Sequence, residues 1–143
     1  VTEQVTLRDG WGNLAVTLSC KAIAIEDGKI WLRRNERGEW ELPGGRLDEH
    51  EQPEDTVARE LREEIGATDI DTLRLVDVGI WRKDFGTNTH VGIITYCCEI
   101  TRRGGEFEYR GEAGDAEFMR IALDDALMLP NLPDIYKRAL QKI

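Results

Sequence analysis

Positive charge is scarce in this chain: 19 lysines and arginines stand against 28 aspartates and glutamates, a formal net charge of −9. Surfaces that wrap polymeric nucleic acid or lie on an acidic membrane need clustered Lys and Arg, so neither is an expected partner. A small anionic ligand stays open, provided a metal cation mediates. Cysteine is also sparse. Three residues cannot all pair internally, and the adjacent Cys97 and Cys98 point to opposite faces if they lie on a strand. A reduced, cytoplasmic setting accounts for this most simply. Neither of the two histidines, His50 and His90, has a companion suggesting zinc. Long apolar runs are missing too: none approaches the roughly 18 residues of a membrane span. The N-terminus lacks the apolar core of a signal peptide, so a soluble protein that is not exported is expected. What remains is 143 residues, 41% hydrophobic, with no repeat or linker. That suits one well-filled core, a single domain over residues 1–143.

The stretch NLAVTLSCKAIAIEDGKIWLRRN alternates and then turns continuously apolar, with Asp27-Gly28 as punctuation. It predicts two strands, roughly 14–26 and 29–34, joined by a tight hairpin. Asp9-Gly10 carries the same signal for a short leading strand or hairpin. From residue 53 the period changes: Val57, Leu61 and Ile65 fall four apart beside Ala58, the stripe of an amphipathic helix. Pro53 suits its first position, Glu54 and Asp55 the positive end of its dipole, and Gly66 its C-terminal cap. Strands are predicted next in TLRLVDVGIWR, THVGIITYCCEI and AEFMRIAL, with a short one at EFEYR, and then a closing helix in LPDIYKRALQKI. Strands flanking one helix and followed by another suggest a mixed sheet with helices on both faces.

Between Gly45 and Ala67 eight carboxylates face only three arginines. At about 100° per residue, Glu60, Glu63 and Glu64 share one arc of the helix, so their carboxylates are expected to converge. A solvated face is the ordinary reading of such a run. Yet Glu60 and Glu64 are a like-charge i,i+4 pair, costing roughly 0.2–0.5 kcal/mol where a Lys would gain as much. A hard divalent cation with a preference for oxygen ligands reverses that sign. Arg59 can orient a carboxylate through its planar fork, and Glu51 is a natural partner for it. Pro43 stiffens the preceding turn, while Gly44 and Gly45 let the backbone approach a ligand closely.

Gly45, Glu51, Arg59-Glu60-Leu61, Glu63-Glu64 and Gly66, at these spacings, resemble a complete Nudix box. One departure is soft: Ala67 stands where the family usually has a larger aliphatic residue. The resemblance implies an α/β fold, a Nudix-type α/β/α sandwich around a mixed sheet. It also implies Mg²⁺- or Mn²⁺-dependent hydrolysis of a nucleoside diphosphate linked to another moiety. Carried over by position, Glu60, Glu63 and Glu64 resemble metal ligands, joined by the backbone carbonyl of Gly44. Glu51, Arg59 and Gly45 resemble supports, and Glu60 is a candidate to activate water. The chemistry is consistent, because attack on a diphosphate meets like-charge repulsion unless metals clamp the oxygens and acidify the water.

Outside the box, Arg33 and Arg34 end the second strand. Ordinary strand-end charge is one reading; the other sends one of them into the site, and similar family members have an Arg where Arg34 falls. Glu112, five residues before Glu117, has the spacing of a metal-site or base glutamate in the branch that sanitises nucleoside triphosphates. Asn131 serves as an N-cap of the last helix, or, as in that branch, binds a purine base. Among the tryptophans, Trp31 reads as core, while Trp40 and Trp81 are candidates for base stacking. His90 reads as structural.

ADP-ribose-type members often carry a Pro where Lys83 falls, and no Pro lies between Pro53 and Pro130. Dinucleoside-polyphosphate members often have a Tyr nearby, and none lies between Ala67 and Tyr96. Both absences favour a nucleoside tri- or diphosphate, damaged ones included, over those alternatives. A non-catalytic nucleotide-binding module predicts eroded box carboxylates, and all three are present. Many relatives dimerise, so a homodimer stays open, although no coiled-coil heptad marks an interface.

Overall fold

The computed structural model describes residues 8–83, 89–104 and 117–143. Strands β1 (Val16–Glu26) and β2 (Lys29–Arg34) form the expected hairpin. Asp27 and Gly28 both take positive φ, 51° and 75°, as a two-residue type I′ turn requires. Two short strands follow, β3 (Trp40–Glu41) and β4 (Gly44–Arg46), then helix α1 (Pro53–Ile65). Strands β5 (Ala67–Lys83), β6 (Thr89–Arg103) and β7 (Glu117–Ile121) precede helices α2 (Leu123–Leu127) and α3 (Asp134–Leu140).

The sheet runs β3-β2-β1-β6-β5, with β4 also paired to β1 and β7 to β2. Only the β1–β6 pair among these is parallel. Along one edge β1 changes partner, from β4 at Ser19–Lys21 to β2 at Ile25–Glu26. The sheet therefore forks, and the fork opens a cleft. Alternation on β1 sorts its side chains between two cores. Cys20, Ala22 and Ala24 pack with Val57, Leu61 and Ile65 of α1, whereas Ile23 packs with Ala126 of α2 and Tyr136, Ala139 and Leu140 of α3. Helices thus cover both faces, the α/β/α sandwich expected.

Helix α1 is closed at both ends as its sequence suggests. Pro53 takes the first helical position, and the Asp55 carboxylate accepts the Gln52 backbone N–H at 3.1 Å. Gly66, at φ 70°, caps the other end through its N–H to the Arg62 carbonyl.

Elsewhere the elements differ from the sequence expectation. Strand β5 starts directly after Gly66, because residues from Ala67 onward already pair with β6 through several register shifts. The segment read as one strand to Leu123 divides, since burial of Ala126 turns its end into α2. Helix α3 starts later than expected, with Pro133 as its N-cap, so Asn131 is not the cap. Its side-chain amide instead donates to the Gly38 carbonyl at 2.7 Å, and its own carbonyl accepts the Trp40 N–H. These bonds tie the α2–α3 connection to the β2–β3 turn. The leading hairpin is reduced to one bridge, Arg8 with Leu14, around a turn in which the Asp9 carboxylate accepts the N–H groups of Trp11 and Asn13. The short strand expected at EFEYR lies outside the described residues. Among the described residues no helix is long and apolar enough to cross a membrane.

Leu61 is wholly buried at the centre of the α1 seam. Leu61→Ala is expected to cost about 2–5 kcal/mol, read as a lower urea midpoint with an unchanged slope.

Candidate active site

Helix α1 delivers its glutamates to the cleft because the Val57, Leu61, Ile65 stripe fixes its rotation on the sheet. Glu60 and Glu64, one turn apart, are 8% and 5% exposed and line a cleft of about 750 Å³. The glycine turn closes directly on them. The Gly44 N–H donates to the Glu64 carboxylate at 3.1 Å, and a side-chain carbon at Gly45 would collide with the Glu60 carboxylate. Gly44 itself has φ 141°, and a side chain there would meet the Cys20 carbonyl. Glycine at 44 is therefore required by its φ and by the β1 backbone beside it, and glycine at 45 leaves the room the Glu60 carboxylate occupies.

Arg59 organises the flank. Its guanidinium grips Glu51 through Nε at 3.0 and 3.2 Å and through an Nη at 3.0 Å, reaches Glu60 at 3.0 Å and touches Glu63 at 3.3 Å. Thr56 adds a hydroxyl bond to Glu51. Hydrogen bonds from Arg59 hold the Glu51 carboxyl below its usual range. The expected partnership of Glu51 with Arg59 is thus present. Of the three carboxylates expected to converge, Glu60 and Glu64 line the cleft, while Glu63, its side chain 45% exposed, is outside the lining and shares one Arg59 Nη with Glu60. Among the described residues, no three Asp, Glu, His or Cys side chains stand close enough together to hold a metal ion. Glu112 lies outside the described residues.

Of the two strand-end arginines, Arg33 lines the cleft and pairs with Glu41 at 2.6 Å. Arg34 points to a separate hollow, where it meets Glu117 at 3.4 Å. Alternation sends only one of two neighbours into the cleft, and the parity falls on Arg33. Trp81 lines the cleft, edge-on to Tyr136 of α3 at a centroid distance of 5.7 Å. Trp40 packs instead against the α2–α3 core, and Asn131 is engaged by the β2–β3 turn, so neither forms the cleft wall. Trp31 is core, with the Arg103 and Arg120 guanidinium groups over its ring at 5.1 and 5.4 Å, and His90 is buried. Sequence reasoning overlooked Thr17, Ser19 and Lys21, alternate residues of β1 on the cleft floor, and Tyr136. A lysine inside the apolar run SCKAIAI was the available signal.

A family model for the NUDIX domain matches residues 18–143. The chain belongs to the Nudix family. A MutT-like protein of Streptomyces ambofaciens is 39% identical over 85 residues, 58% of this chain and 49% of that protein. An 8-oxo-dGTP diphosphatase of Proteus vulgaris is 46% identical over 46 residues, 32% of this chain and 40% of that protein. These matches span about half or less of the relatives' lengths. The crystal structure of a MutT NUDIX hydrolase from Burkholderia pseudomallei superposes with a TM-score of 0.69 at 30% identity, covering 90% of this chain and 98% of that one.

Nudix hydrolases generally use a divalent metal, and the chemistry of this site suits one. Its donors are all oxygen, and two are buried carboxyl groups, Glu60 beside Arg59 and Glu64 beside the Gly44 N–H. Burial pushes the Glu64 carboxyl up from 4.5 to about 8; Lys21 opposes the shift and the neighbouring Glu60 charge adds to it. The unfolded chain releases this proton near 4.5 and the folded, metal-free chain near 8, so between those values the native state binds more protons. This contribution to stability is complete below 4.5 and is lost as pH rises through 8. Metal-free protein is therefore expected to show a falling urea midpoint from pH 5 to pH 8, and Glu64→Gln to flatten that part of the slope. An unchanged slope in Glu64→Gln would contradict this.

Proposed function

We propose that the Nudix chain hydrolyses a pyrophosphate bond in a nucleoside diphosphate derivative, with Mg²⁺ or Mn²⁺ as the cation. The favoured substrate is a nucleoside tri- or diphosphate, damaged ones included. One observation carries the reading: two buried carboxyl groups, Glu60 and Glu64, lie against a glycine turn in an open cleft. Such a pair is a liability for folding and an asset for holding a cation. The similarity to MutT-type proteins supports the same substrate class.

Glu60, Glu64 and the Gly44 carbonyl would hold the cation, with Glu63 beside them. When bound it would neutralise phosphate oxygens and lower the pKa of an attacking water. The chain's own residues then have distinct tasks. Glu60, steadied by Arg59, accepts a proton from the water as its oxygen bonds to phosphorus and the bridging P–O bond breaks. Glu51 holds Arg59 in place. Arg33 faces the phosphates, and Trp81 with Tyr136 forms an apolar end suited to a base. Charge in the cleft selects a small nucleotide; the −9 surface disfavours polymeric nucleic acid and acidic membrane. The free thiols of Cys20, Cys97 and Cys98 suit a reducing, cytoplasmic setting.

The test is formation of a nucleoside monophosphate, with pyrophosphate, phosphate or a second monophosphate as co-product, from a panel of nucleotides with Mg²⁺ or Mn²⁺; cleavage of none of them would end this reading. Glu60→Gln is expected to lower kcat by about 10²–10⁴. Glu51→Gln, acting one step removed through Arg59, is expected to cost about 10–100-fold. Arg34→Ala, outside the cleft, is expected to change kcat/KM little.

A further inference from the structure

We propose that Lys21 is a phosphate-binding residue, its ammonium taking an oxygen of the pyrophosphate group at the carboxylate end of the cleft. The inference rests on the pyrophosphohydrolase reading above. Lys21 sits on β1, the strand shared by both cores, and is paired in register with Gly44, whose N–H holds Glu64. It lines the cleft with Glu60, Glu64 and Arg33, yet is only 6% exposed. Its inward-facing neighbour two residues on is Ile23, so packing alone does not call for a charged tip here. Among the described residues no hydrogen bond or ion pair holds the ammonium. Its charge acts on Glu64 across the cleft without a direct contact, and an anion arriving there gives the ammonium a hydrogen-bonded partner.

Position sets which part of the ligand Lys21 meets. Thr17, Ser19 and Lys21 face the same side of β1 and span roughly 13 Å along it. Thr17 lies in register with Val91, and Val91 with Trp81, which places the aromatic end of the cleft at Thr17 and the carboxylate end at Lys21. A nucleotide with its base at Trp81 and Tyr136 therefore brings its phosphates to Lys21. The competing role is a counter-charge to Glu60 and Glu64 alone, which divalent cation would make redundant.

The experiment uses the full chain with Mg²⁺ and inorganic pyrophosphate as the probe. Lys21→Met is expected to weaken pyrophosphate binding about tenfold or more, and to lower kcat/KM for the best nucleotide about 10²-fold. Mg²⁺ affinity is not weakened, and Lys21→Arg recovers much of the loss. In the parent protein the Lys21 Cε resonance shifts on pyrophosphate addition, a readout that stands even where Lys21→Met fails to fold. Unchanged pyrophosphate affinity in Lys21→Met, or an unmoved Lys21 resonance, overturns the proposal. So does loss of Mg²⁺ affinity in step with pyrophosphate affinity, which would make Lys21 a support for the carboxylates. A parent protein that hydrolyses no nucleotide defeats the hydrolase reading instead, and the pyrophosphate titration still decides Lys21.

Discussion

The Gly44 N–H bond to the buried Glu64 carboxylate joins the three parts on which the cleft depends. It ties the end of α1 to the glycine turn, and through β4 to the central strand β1. A carboxylate this deep needs a donor, and the turn supplies one only because glycine can take φ 141° with the Cys20 carbonyl alongside. The apolar stripe of α1 sets the rotation that brings Glu60 and Glu64 to that turn. Arg59, held by Glu51, then limits how far the flanking carboxylates spread. Fold and site share the same contacts.

Electrostatically the arrangement runs against stability. Two carboxyl groups one turn apart are taken out of water, and burial pushes the Glu64 carboxyl up to about 8, so the metal-free pair avoids carrying two charges at neutral pH. Lys21, Arg33, Arg37 and Arg46 line the cleft with the pair, and Arg33 already pairs with Glu41 and Arg37 with Glu39. A site organised in this way sets buried carboxyl groups for a cation beside basic side chains for an anionic substrate. The apolar wall of Trp81 and Tyr136 at the other end gives the cleft two chemically distinct halves.

Much of this was legible in residues 41–67, where local rules act alone. Helix stripe, proline start, glycine cap and box spacing all concern residues near in sequence, and each took the place expected. The Asp27-Gly28 hairpin was legible for the same reason. Features set by distant partners were not. Whether Arg33 or Arg34 enters the cleft depends on where β2 meets β3 and β7. Asn131 was read as a cap or base ligand because its partner, the Gly38 carbonyl, is 93 residues away in sequence. On a helical wheel Glu63 stands with Glu60 and Glu64, yet the wheel cannot show that its carboxylate pairs with Arg59 outside the cleft lining. Lys21 stood in plain view inside an apolar strand, but only the forked sheet shows that this strand face becomes a cleft floor.

Calorimetric titration of divalent cation into metal-free protein at pH 7, in two buffers of different ionisation enthalpy, tests the central claim most directly. The account predicts saturable Mg²⁺ or Mn²⁺ binding with net proton release, because a cation displaces the proton that burial holds on Glu64. Glu64→Gln should bind more weakly and release fewer protons. Absence of cation binding, or binding by Glu64→Gln equal to the parent, would contradict the claim that the carboxylate pair is built for a metal.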